Sequence, residues 1–523
     1  MPLYPPRYDE LYVISDLHLG GQRDSAVTER VEQSLIKEGK RLGWFIDYVT
    51  RLDAKRQVAL VLNGDIVDFL ASKNAKTFDP AGAVDKLTGI IRDRTLTPVW
   101  TALQKLVRAE NRTLVLVLGN HDIELALPPV IGALLQELCG DDAAARGRVR
   151  TVFDNEGFRC QVGGASVLCV HGNEIDDFNI VEHEGLRRAV VAMNRGLNVP
   201  EVRANAGSYL VVNILNEIKE AYPWVDLLKP ELLAVVNLLL LIGDDVVRKK
   251  LRNIPKLMTR LLAGRAAVKQ GQLGGMVQPD APELPIGFDK LCRELLGASS
   301  SALPASEQTV ELLFAQVEED LINGLAPVDL ASEQSQTLGG FSDFIQEVSG
   351  AIMYIKDRVT GKSREEAIRD AMQRWLVDDR SFALDQEDAS FTALSAKGYA
   401  ANFLIAGHTH LARALKRGEN SYYYNSGTWS RLIELTPPML KDKGRFSAIL
   451  SAFQSRSLEA LEEIPDLVST RATVVWLRTD GGKTIGTLEM VTESQAGAFQ
   501  LAEQGVERDR QGDARRKTCF VKE

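Results

Sequence analysis

Short apolar runs alternate with helix-compatible stretches through the first third of the chain. The apolar runs are LYVISD, VALVLN and TLVLVLG, and residues 29–51 and 97–110 between them have patterns compatible with helices. This alternation is typical of a layered α/β fold. Each apolar run ends in a polar cluster, at Asp16, at Asp65 and at Asn120. Because ligand sites in open α/β sheets lie beyond the carboxyl ends of the strands, we expect the three clusters to converge there.

The strand-like pattern stops in the middle of the chain and then returns. It is present at 149–153, 158–162 and 166–170, and again at 402–405, 422–424 and 473–477, whereas residues 183–398 are helical in pattern and broken by linkers rich in Gly, Pro and Ser. We therefore predict a core in two parts, a mainly helical insertion between them, and a charged C-terminal tail. The predicted bounds are 1–182 and 399–492 for the core, 183–398 for the insertion and 493–523 for the tail.

Composition places the chain among soluble globular proteins. Its 523 residues are too many for one simple core, and 45% hydrophobic with 25% charged residues is an ordinary balance. A net charge of −9 argues against a generally basic surface for nucleic acid. The five cysteines are scattered and contain no C-x-x-C, so neither a disulfide framework nor a zinc finger is indicated. The longest apolar run, 232–242, is well short of the roughly 20 residues that span a bilayer. We expect a cytoplasmic protein.

Five polar motifs occur in order along the chain. They are DLH at 16–18, GDIVD at 64–68, GNHD at 119–122, HG at 171–172 and GHTH at 407–410. Five of the six histidines fall within these motifs, and we interpret the sixth, His183, as a structural residue. A single histidine, or an aspartate after glycine, is most often a surface or turn residue. The joint pattern indicates a functional cluster instead.

The spacing within two of these motifs suits metal binding. Residues at i and i+2 of an extended segment point to the same side, so Asp16 with His18, and His408 with His410, can each offer a pair of ligands. Mixed imidazole and carboxylate ligands suit Mn, Fe, Zn or Ni better than Mg or Ca, which prefer oxygen ligands. We expect transition metals, with Mn²⁺ first.

Together, the five motifs resemble the signature of the calcineurin-like metallophosphoesterases. The resemblance covers residues 10–180 and 400–435, and it implies an α/β fold built as a β-sandwich flanked by helices. It also implies hydrolysis of a phosphoric ester or diphosphate at a centre of two divalent metal ions. The implied ligands are Asp16, His18 and His410 for one ion, Asn120, His171 and His408 for the other, and Asp65 as the bridge between them.

The resemblance also implies roles in the reaction. Two carboxylates against two divalent ions leave a positive site, which attracts phosphate oxygens and lowers the pKa of a bridging water, so that a hydroxide is the expected nucleophile. In the family, the histidine of the GNHD motif protonates the leaving oxygen, which makes His121 the candidate general acid. Asp122 is expected to orient the His121 ring. Asp68 is expected to hold a metal ligand from behind rather than to bind metal itself.

Two further segments are open to two interpretations each. The acids at 174, 176 and 177 either cap the next helix, which we favour, or tune the site. The segment YYYNSGTW at 422–429 resembles the N-[ST]-G-[ST]-W pattern that often follows GHxH, and it either packs in a sheet with a glycine turn or contacts substrate.

Substrate and partners are predicted from two further features. The opening DLHLGG is similar to that of the branch of UDP-2,3-diacylglucosamine hydrolases, which also have a helical insertion. Residues 246–270 hold eight Lys and Arg and no acid, which suits an anionic membrane surface, nucleic acid or a phosphorylated substrate, or else a solvated helix face. We predict a phosphodiester or pyrophosphate hydrolase of a nucleotide-containing or lipid-linked substrate, cytoplasmic or peripheral to the membrane. The alternatives are a metal-dependent nuclease and a phosphoesterase-fold scaffold for protein interaction.

Overall fold

A computed structural model describes residues 5–20, 39–71, 75–228, 363–376, 381–494 and 496–503, with the short strands 507–508, 514–515 and 519–522. The chain divides into two compact units. The first comprises residues 1–202, 380–432 and 469–523, and the second comprises residues 203–379 and 433–468. The basic segment 246–270 and the apolar run 232–242 lie outside the described residues.

The strands belong largely to the first unit. In chain order they are β1 (Arg7–Tyr8), β2 (Glu10–Ile14), β3 (Val58–Asn63), β4 (Arg112–Val117), β5 (Val149–Val152), β6 (Phe158–Val162), β7 (Ala165–Cys169), β8 (Phe403–Ala406), β9 (Arg413–Gly418), β10 (Ser421–Asn425), β11 (Arg431–Ile433), β12 (Val468–Thr470), β13 (Thr473–Asp480), β14 (Lys483–Glu493), β15 (Phe499–Glu503), β16 (Glu507–Arg508), β17 (Ala514–Arg515) and β18 (Cys519–Lys522). The larger sheet has the order β15-β14-β13-β2-β3-β4-β5, with β18 also on β14, and the smaller has the order β1-β6-β7-β8-β10-β9.

Helices flank these strands and form the described part of the second unit. In chain order they are α1 (Gly39–Thr50), α2 (Ala83–Ile91), α3 (Thr97–Arg108), α4 (Pro128–Cys139), α5 (Ala143–Arg146), α6 (His183–Asn194), α7 (Ala206–Leu210), α8 (Asn216–Ala221), α9 (Arg364–Trp375), α10 (Ala389–Ala396), α11 (Pro437–Lys441), α12 (Lys443–Ser455) and α13 (Leu458–Glu462). Within the described ranges, no helix combines the length and apolar character needed to cross a membrane.

The two sheets of the first unit pack face to face. Along β2, Leu11 and Val13 enter the core between the sheets, whereas Tyr12 and Ile14 enter a second core under α1, α3 and α4. This division follows from the period-2 alternation of side chains in a strand. The outer face of the smaller sheet is covered by α10, through Phe391. The layers are therefore helix, sheet, sheet, helix, and the predicted fold class, a β-sandwich flanked by helices, is confirmed.

The boundaries of the units differ from those expected along the sequence. α6 falls in the predicted insertion, but it buries Leu186 and Ala189 in the same core as α1, α3 and α4. The second unit begins at residue 203 instead, and it takes in residues 433–468 as well. The predicted tail is in part strand, since β15 and β18 both pair with β14.

Aromatic packing holds the described part of the second unit together. Trp224 is fully buried, its ring meets Phe453 edge to face at 4.7 Å, and its Nε1 donates to the Phe453 carbonyl at 3.2 Å. Tyr222 meets the same indole at 5.6 Å. These contacts join α8 and the turn at 225–227 to α12.

Parallel pairing brings the carboxyl ends of several strands to common edges. β2, β3 and β4 are parallel neighbours in the larger sheet. β7 and β8 are parallel neighbours in the smaller sheet. The loops that leave these five strands carry the five polar motifs.

Candidate metal centre

The loops after five parallel strands bring the predicted metal-binding side chains together. Among the described residues, three groups of side chains each bring one nitrogen or oxygen atom per residue within 4.8 Å of the others. The groups are Asp16 with His18 and His410, His18 with Asp65 and His121, and Asp65 with His171 and His408. The first two groups share His18 and the last two share Asp65, so the three form one continuous cluster.

The backbone at these residues is not extended, which corrects the geometry expected from the sequence. The φ angles are 52° at Asp16, 45° at His18, 50° at Asp65, 70° at His408 and 61° at His410. Residues other than glycine rarely adopt this left-handed backbone conformation, because it costs roughly 1–3 kcal/mol for each residue. Such residues are concentrated at functional sites. Tight left-handed turns, rather than i, i+2 alternation along a strand, therefore direct these side chains into the cluster.

Hydrogen bonds to Asp16 join the first loop to the last. The backbone N–H of His408 donates to both carboxylate oxygens of Asp16, at 3.1 and 3.0 Å, and Thr428 Oγ1 donates to the Asp16 carbonyl at 2.7 Å. Nε2 of His410 lies 3.4 Å from Asp16 Oδ1. Residues from the two parts of the core are thus fixed to one another at the site.

Asp65 lies at the middle of the cluster. Its Oδ2 is 3.2 Å from His171 Nε2 and 3.7 Å from His18 Nε2, and its Oδ1 accepts the backbone N–H of His121 at 2.9 Å. The resemblance assigns His18 and His171 to different ions. The position of Asp65 between them is the one that a bridging carboxylate would take.

Two imidazoles are held with one nitrogen toward the cluster. Nδ1 of His18 lies 3.2 Å from Asp68 Oδ2, and Nδ1 of His171 lies 2.8 Å from the carbonyl of Asn63. A carboxylate and a carbonyl can only accept, so each Nδ1 carries a hydrogen and each Nε2 is left as the nitrogen that can bind a metal once it is deprotonated. Nε2 of His171 is buried and makes no hydrogen bond of good geometry among the described residues, although Asp65 Oδ2 lies 3.2 Å from it.

The other buried acceptor in the cluster belongs to Asn120. Its Oδ1 also lacks a hydrogen-bond partner among the described residues. Leaving buried polar atoms unsatisfied costs about 1–3 kcal/mol each, and a cation would satisfy both Asn120 Oδ1 and His171 Nε2. The donor set of imidazole nitrogens, carboxylates and one amide oxygen fits divalent transition metals.

The buried carboxylates of the cluster are stabilised by positive charge beside them. Burial works against ionisation of His171, yet Asp65 and Asp16 raise its pKa to about 10. Burial likewise acts to raise the pKa of Asp65, but the imidazoles of His171 and His121 hold it well below its usual range. In the absence of metal, protons therefore supply the charge that balances the carboxylates.

Asp68 contacts both His18 and the candidate general acid. Nδ1 of His121 lies 3.3 Å from Asp68 Oδ1, and the rings of His18 and His121 meet edge to face at 4.7 Å. Backbone N–H groups of Leu70 and Ala71 donate to the same oxygen at 2.9 Å and fix the carboxylate. Asp68 is therefore placed where it can orient the His121 ring.

Both carboxylate oxygens of Asp122 accept hydrogen bonds from the backbone of neighbouring loops, whereas we expected this residue to orient the His121 ring. Its Oδ2 accepts the N–H of Ile66 and its Oδ1 accepts the N–H of Gly119, both at 2.7 Å. It thereby ties the loop after β3 to the loop after β4. Burial, together with the charge of Asp65, raises the pKa of Asp122 to about 7.

Two glycines allow the loops after β3, β4 and β7 to pack closely against one another. A Cβ at Gly119 would lie 2.1 Å from Asp65 Oδ1, and a Cβ at Gly64, where φ is +86°, would lie 2.2 Å from His171 Nδ1. No side chain fits at either distance. The glycines before Asp65 and Asn120 are therefore required by close packing around the cluster.

The segment 422–429 supports the site from inside the fold. Asn425 and Thr428 are buried. Nδ2 of Asn425 donates to the Gly407 carbonyl at 2.7 Å, and its Oδ1 accepts the N–H of Gly427 at 2.9 Å. These contacts favour the structural interpretation of this segment, because its polar groups are used to hold the loop of His408.

Two residues beside the cluster lie outside the five motifs: Asn179 was not predicted, and Asp176 was among the acids for which tuning of the site was the less favoured interpretation. Oδ2 of Asp176 lies 2.9 Å from Nε2 of His408, and Asn179 lies between Asp176 and Asn120. Helix capping, the interpretation that we favoured for the acids at 174–177, is wrong for Asp176, since α6 begins at His183 with Glu182 as its N-cap. The abundance of acids after the HG motif was the available signal.

Residues 10–231 match the family model of the calcineurin-like phosphoesterases. The match covers the first four motifs, and the GHTH motif lies beyond it. Comparison with curated proteins and with solved structures gave no match.

Proposed function

We propose that this chain is a dinuclear metal-dependent hydrolase of a phosphodiester or pyrophosphate bond, because residues 10–231 match the model of the calcineurin-like phosphoesterase family. The observation that carries the proposal is the position of Asp65, whose carboxylate is shared by two groups of candidate ligands. A shared carboxylate suits two ions better than one. We further propose Mn²⁺ as the first metal to test, and a nucleotide-containing or lipid-linked phosphate as the substrate.

The proposed ligands divide as the resemblance implies. Asp16, His18 and His410 would hold one ion, and Asn120, His171 and His408 the other, with Asp65 between them. Bound divalent ions would neutralise phosphate oxygens and activate a water for attack at phosphorus. The strained turns and fixed tautomers described above would keep the ligands in place before the metal binds.

His121 is the proposed general acid. Its side chain is 21% exposed, whereas Asp68, which holds its Nδ1, is only 3% exposed. The ring can therefore reach a substrate with its other nitrogen while the carboxylate behind it stabilises the imidazolium. In this proposal, Nε2 of His121 gives its proton to the leaving oxygen as the bond to phosphorus breaks.

The test uses the full-length chain, stripped with a chelator and reloaded with Mn²⁺. We expect two ions per chain by elemental analysis and hydrolysis of bis-p-nitrophenyl phosphate that depends on them. p-Nitrophenyl phosphate, single-stranded DNA and a nucleotide-sugar complete the panel, since hydrolysis of DNA alone would favour a nuclease. His183→Ala, which changes the histidine outside the cluster, should retain both metal and activity.

Two results would overturn the proposal. One is a chain that binds no divalent metal at micromolar concentrations. The other is hydrolysis that continues unchanged after the metal has been removed.

A further inference from the structure

We propose that Asp176 and Asn179 form a positioning pair that prepares Asn120 and His408 to bind the same ion. This inference rests on the proposed function. It concerns two residues that lie outside the five motifs, and it follows from a chain of three hydrogen bonds that runs from one candidate ligand to the other.

The first bond fixes the imidazole of His408. Oδ2 of Asp176 lies 2.9 Å from His408 Nε2, with the two side chains 27% and 11% exposed. The carboxylate can only accept, so Nε2 carries the hydrogen and Nδ1 is left as the nitrogen that can bind a metal. Asp176 thereby selects the tautomer of His408.

The second and third bonds fix the amide of Asn120. Nδ2 of Asn179 donates to the same Oδ2 of Asp176 at 2.8 Å, and Oδ1 of Asn179 accepts from Asn120 Nδ2 at 3.4 Å. Because the amide nitrogen of Asn120 is used in this way, its Oδ1 remains as the buried acceptor that lacks a partner among the described residues. An amide oxygen, not an amide nitrogen, is the atom that a divalent cation requires.

The pair is itself held by its own short loop. Oδ1 of Asp176 accepts the N–H of Phe178 at 3.0 Å, the N–H of Asn179 donates to the Asp176 carbonyl at 2.8 Å, and Asn173 Nδ2 donates to the Asn179 carbonyl at 3.0 Å. These bonds leave Asp176 Oδ2 directed at His408 and Asn179. Such support behind metal ligands typically changes metal affinity by about 10- to 100-fold when it is removed.

The pair contacts ligands of one ion only, and this makes the test selective. Mn²⁺ binding to the full-length protein is measured by equilibrium titration with elemental analysis, and the coupled pair of ions is followed by electron paramagnetic resonance. Asp176→Ala and Asn179→Ala should each lower the affinity for one of the two ions by about 10- to 100-fold. The affinity for the other ion should stay near that of the wild type. The coupled signal should then appear only at higher Mn²⁺ concentration.

Two further variants separate positioning from charge and from folding. Asp176→Asn keeps an oxygen that can accept from His408 and should show an intermediate loss. Asp177→Ala removes the neighbouring exposed acid and should bind both ions as the wild type does. Thermal unfolding of the metal-free variants identifies any that do not fold, and Asn179→Ala carries the test if Asp176→Ala fails.

The outcomes distinguish this inference from the proposed function. If the wild-type protein binds two ions, and Asp176→Ala and Asn179→Ala also bind two at unchanged affinity, the positioning role is overturned and the dinuclear centre stands. If the wild-type protein binds fewer than two, the dinuclear centre is wrong and this inference falls with it. An equal loss of affinity for both ions would also overturn the inference, because it would indicate a general loss of negative charge at the site.

Discussion

The Nε2 atoms of His18 and His410 face each other 3.1 Å apart, with the two rings inclined at 61°. Nδ1 of His18 is held by Asp68, so Nε2 of His18 presents a lone pair to the other ring. Two imidazole nitrogens at this distance are stable only when a proton or a cation lies between or beside them. Asp16, at 3.4 Å from His410 Nε2, completes a group of three candidate ligands around that position.

Replacing Asp65 should affect both ions, whereas replacing His410 should affect one. In Asp65→Ala we expect metal and activity to be lost together, because the carboxylate belongs to two of the three groups. In His410→Ala we expect one ion per chain to remain. Elemental analysis of the dialysed variants checks both, and full occupancy in Asp65→Ala with wild-type turnover would contradict the assignment of the bridge.

His121→Asn should bind metal normally but turn over about 10²- to 10⁴-fold more slowly, as expected for removal of a general acid. The defect should shrink for p-nitrophenyl leaving groups, which need little protonation. The measurement is kcat on a series of aryl diesters of increasing leaving-group pKa. An equal loss across the series would indicate that His121 positions the substrate instead.

Gly119→Ala should disrupt the site despite adding only one carbon. The new Cβ would lie 2.1 Å from Asp65 Oδ1 and 2.3 Å from its backbone nitrogen, so the loop after β4 must move away from the bridge. We expect loss of metal affinity and a fall in unfolding free energy of about 1–3 kcal/mol. Gly132→Ala on α4 is the matched control, since its Cβ would meet nothing within 4 Å. That variant should be neutral or slightly stabilised. Similar behaviour of the two variants would contradict the packing argument.

Glu124 should make the metal-free protein less stable as the pH rises. Burial raises its pKa to about 7, while its Oε1 accepts the N–H of Asp79 and its Oε2 has no hydrogen-bond partner within the described ranges. The folded state therefore holds a proton that the unfolded chain releases near pH 4.5, and stability falls between about pH 4.5 and 7.

Glu124→Gln should reduce this dependence: its unfolding free energy relative to the wild type should be about 1–3 kcal/mol higher at pH 8 than at pH 5. The part that remains is expected from Asp122, whose pKa is also raised. Urea unfolding at the two pH values, with chelator present, measures the difference. Glu156→Gln, at an exposed position, is the control and should follow the wild type. A gain of the same size in Glu156→Gln, or none in Glu124→Gln, would show that the buried carboxyl is not responsible.

The sequence predicted the layers of the fold and the side chains that gather at the cluster, because both follow from patterns within short segments. Strand alternation separates the two faces of β2, and the order of motifs follows the order of strands. Backbone conformation was not predictable in this way. Asp16 and His18 were expected on an extended segment, but φ depends on the packing of a loop against partners such as Thr428 that lie far along the chain.

Other features escaped prediction for the same reason. Asp176 resembles a helix cap within its own segment, and only the fold brings it to His408, 232 positions away. The periodicity of α6 shows that one face of the helix is apolar, but not which core receives that face. The described unit boundary therefore lies beyond α6 rather than before it. The roles proposed for the ligands and for His121 stay predictions until metal and activity are measured.

The pairing of β7 with β8 has a consequence for how the protein matures. Ser166 and Asn402 hydrogen-bond across 236 positions, so β7 keeps an open edge until β8 has been synthesised. Such distant pairing slows folding, and an apolar edge left open exposes the nascent chain to aggregation. The loop with His408 and His410 arrives with the same strand. Metal binding at the proposed centre would therefore follow the synthesis of β8, and a loaded centre would report that β7 and β8 have paired.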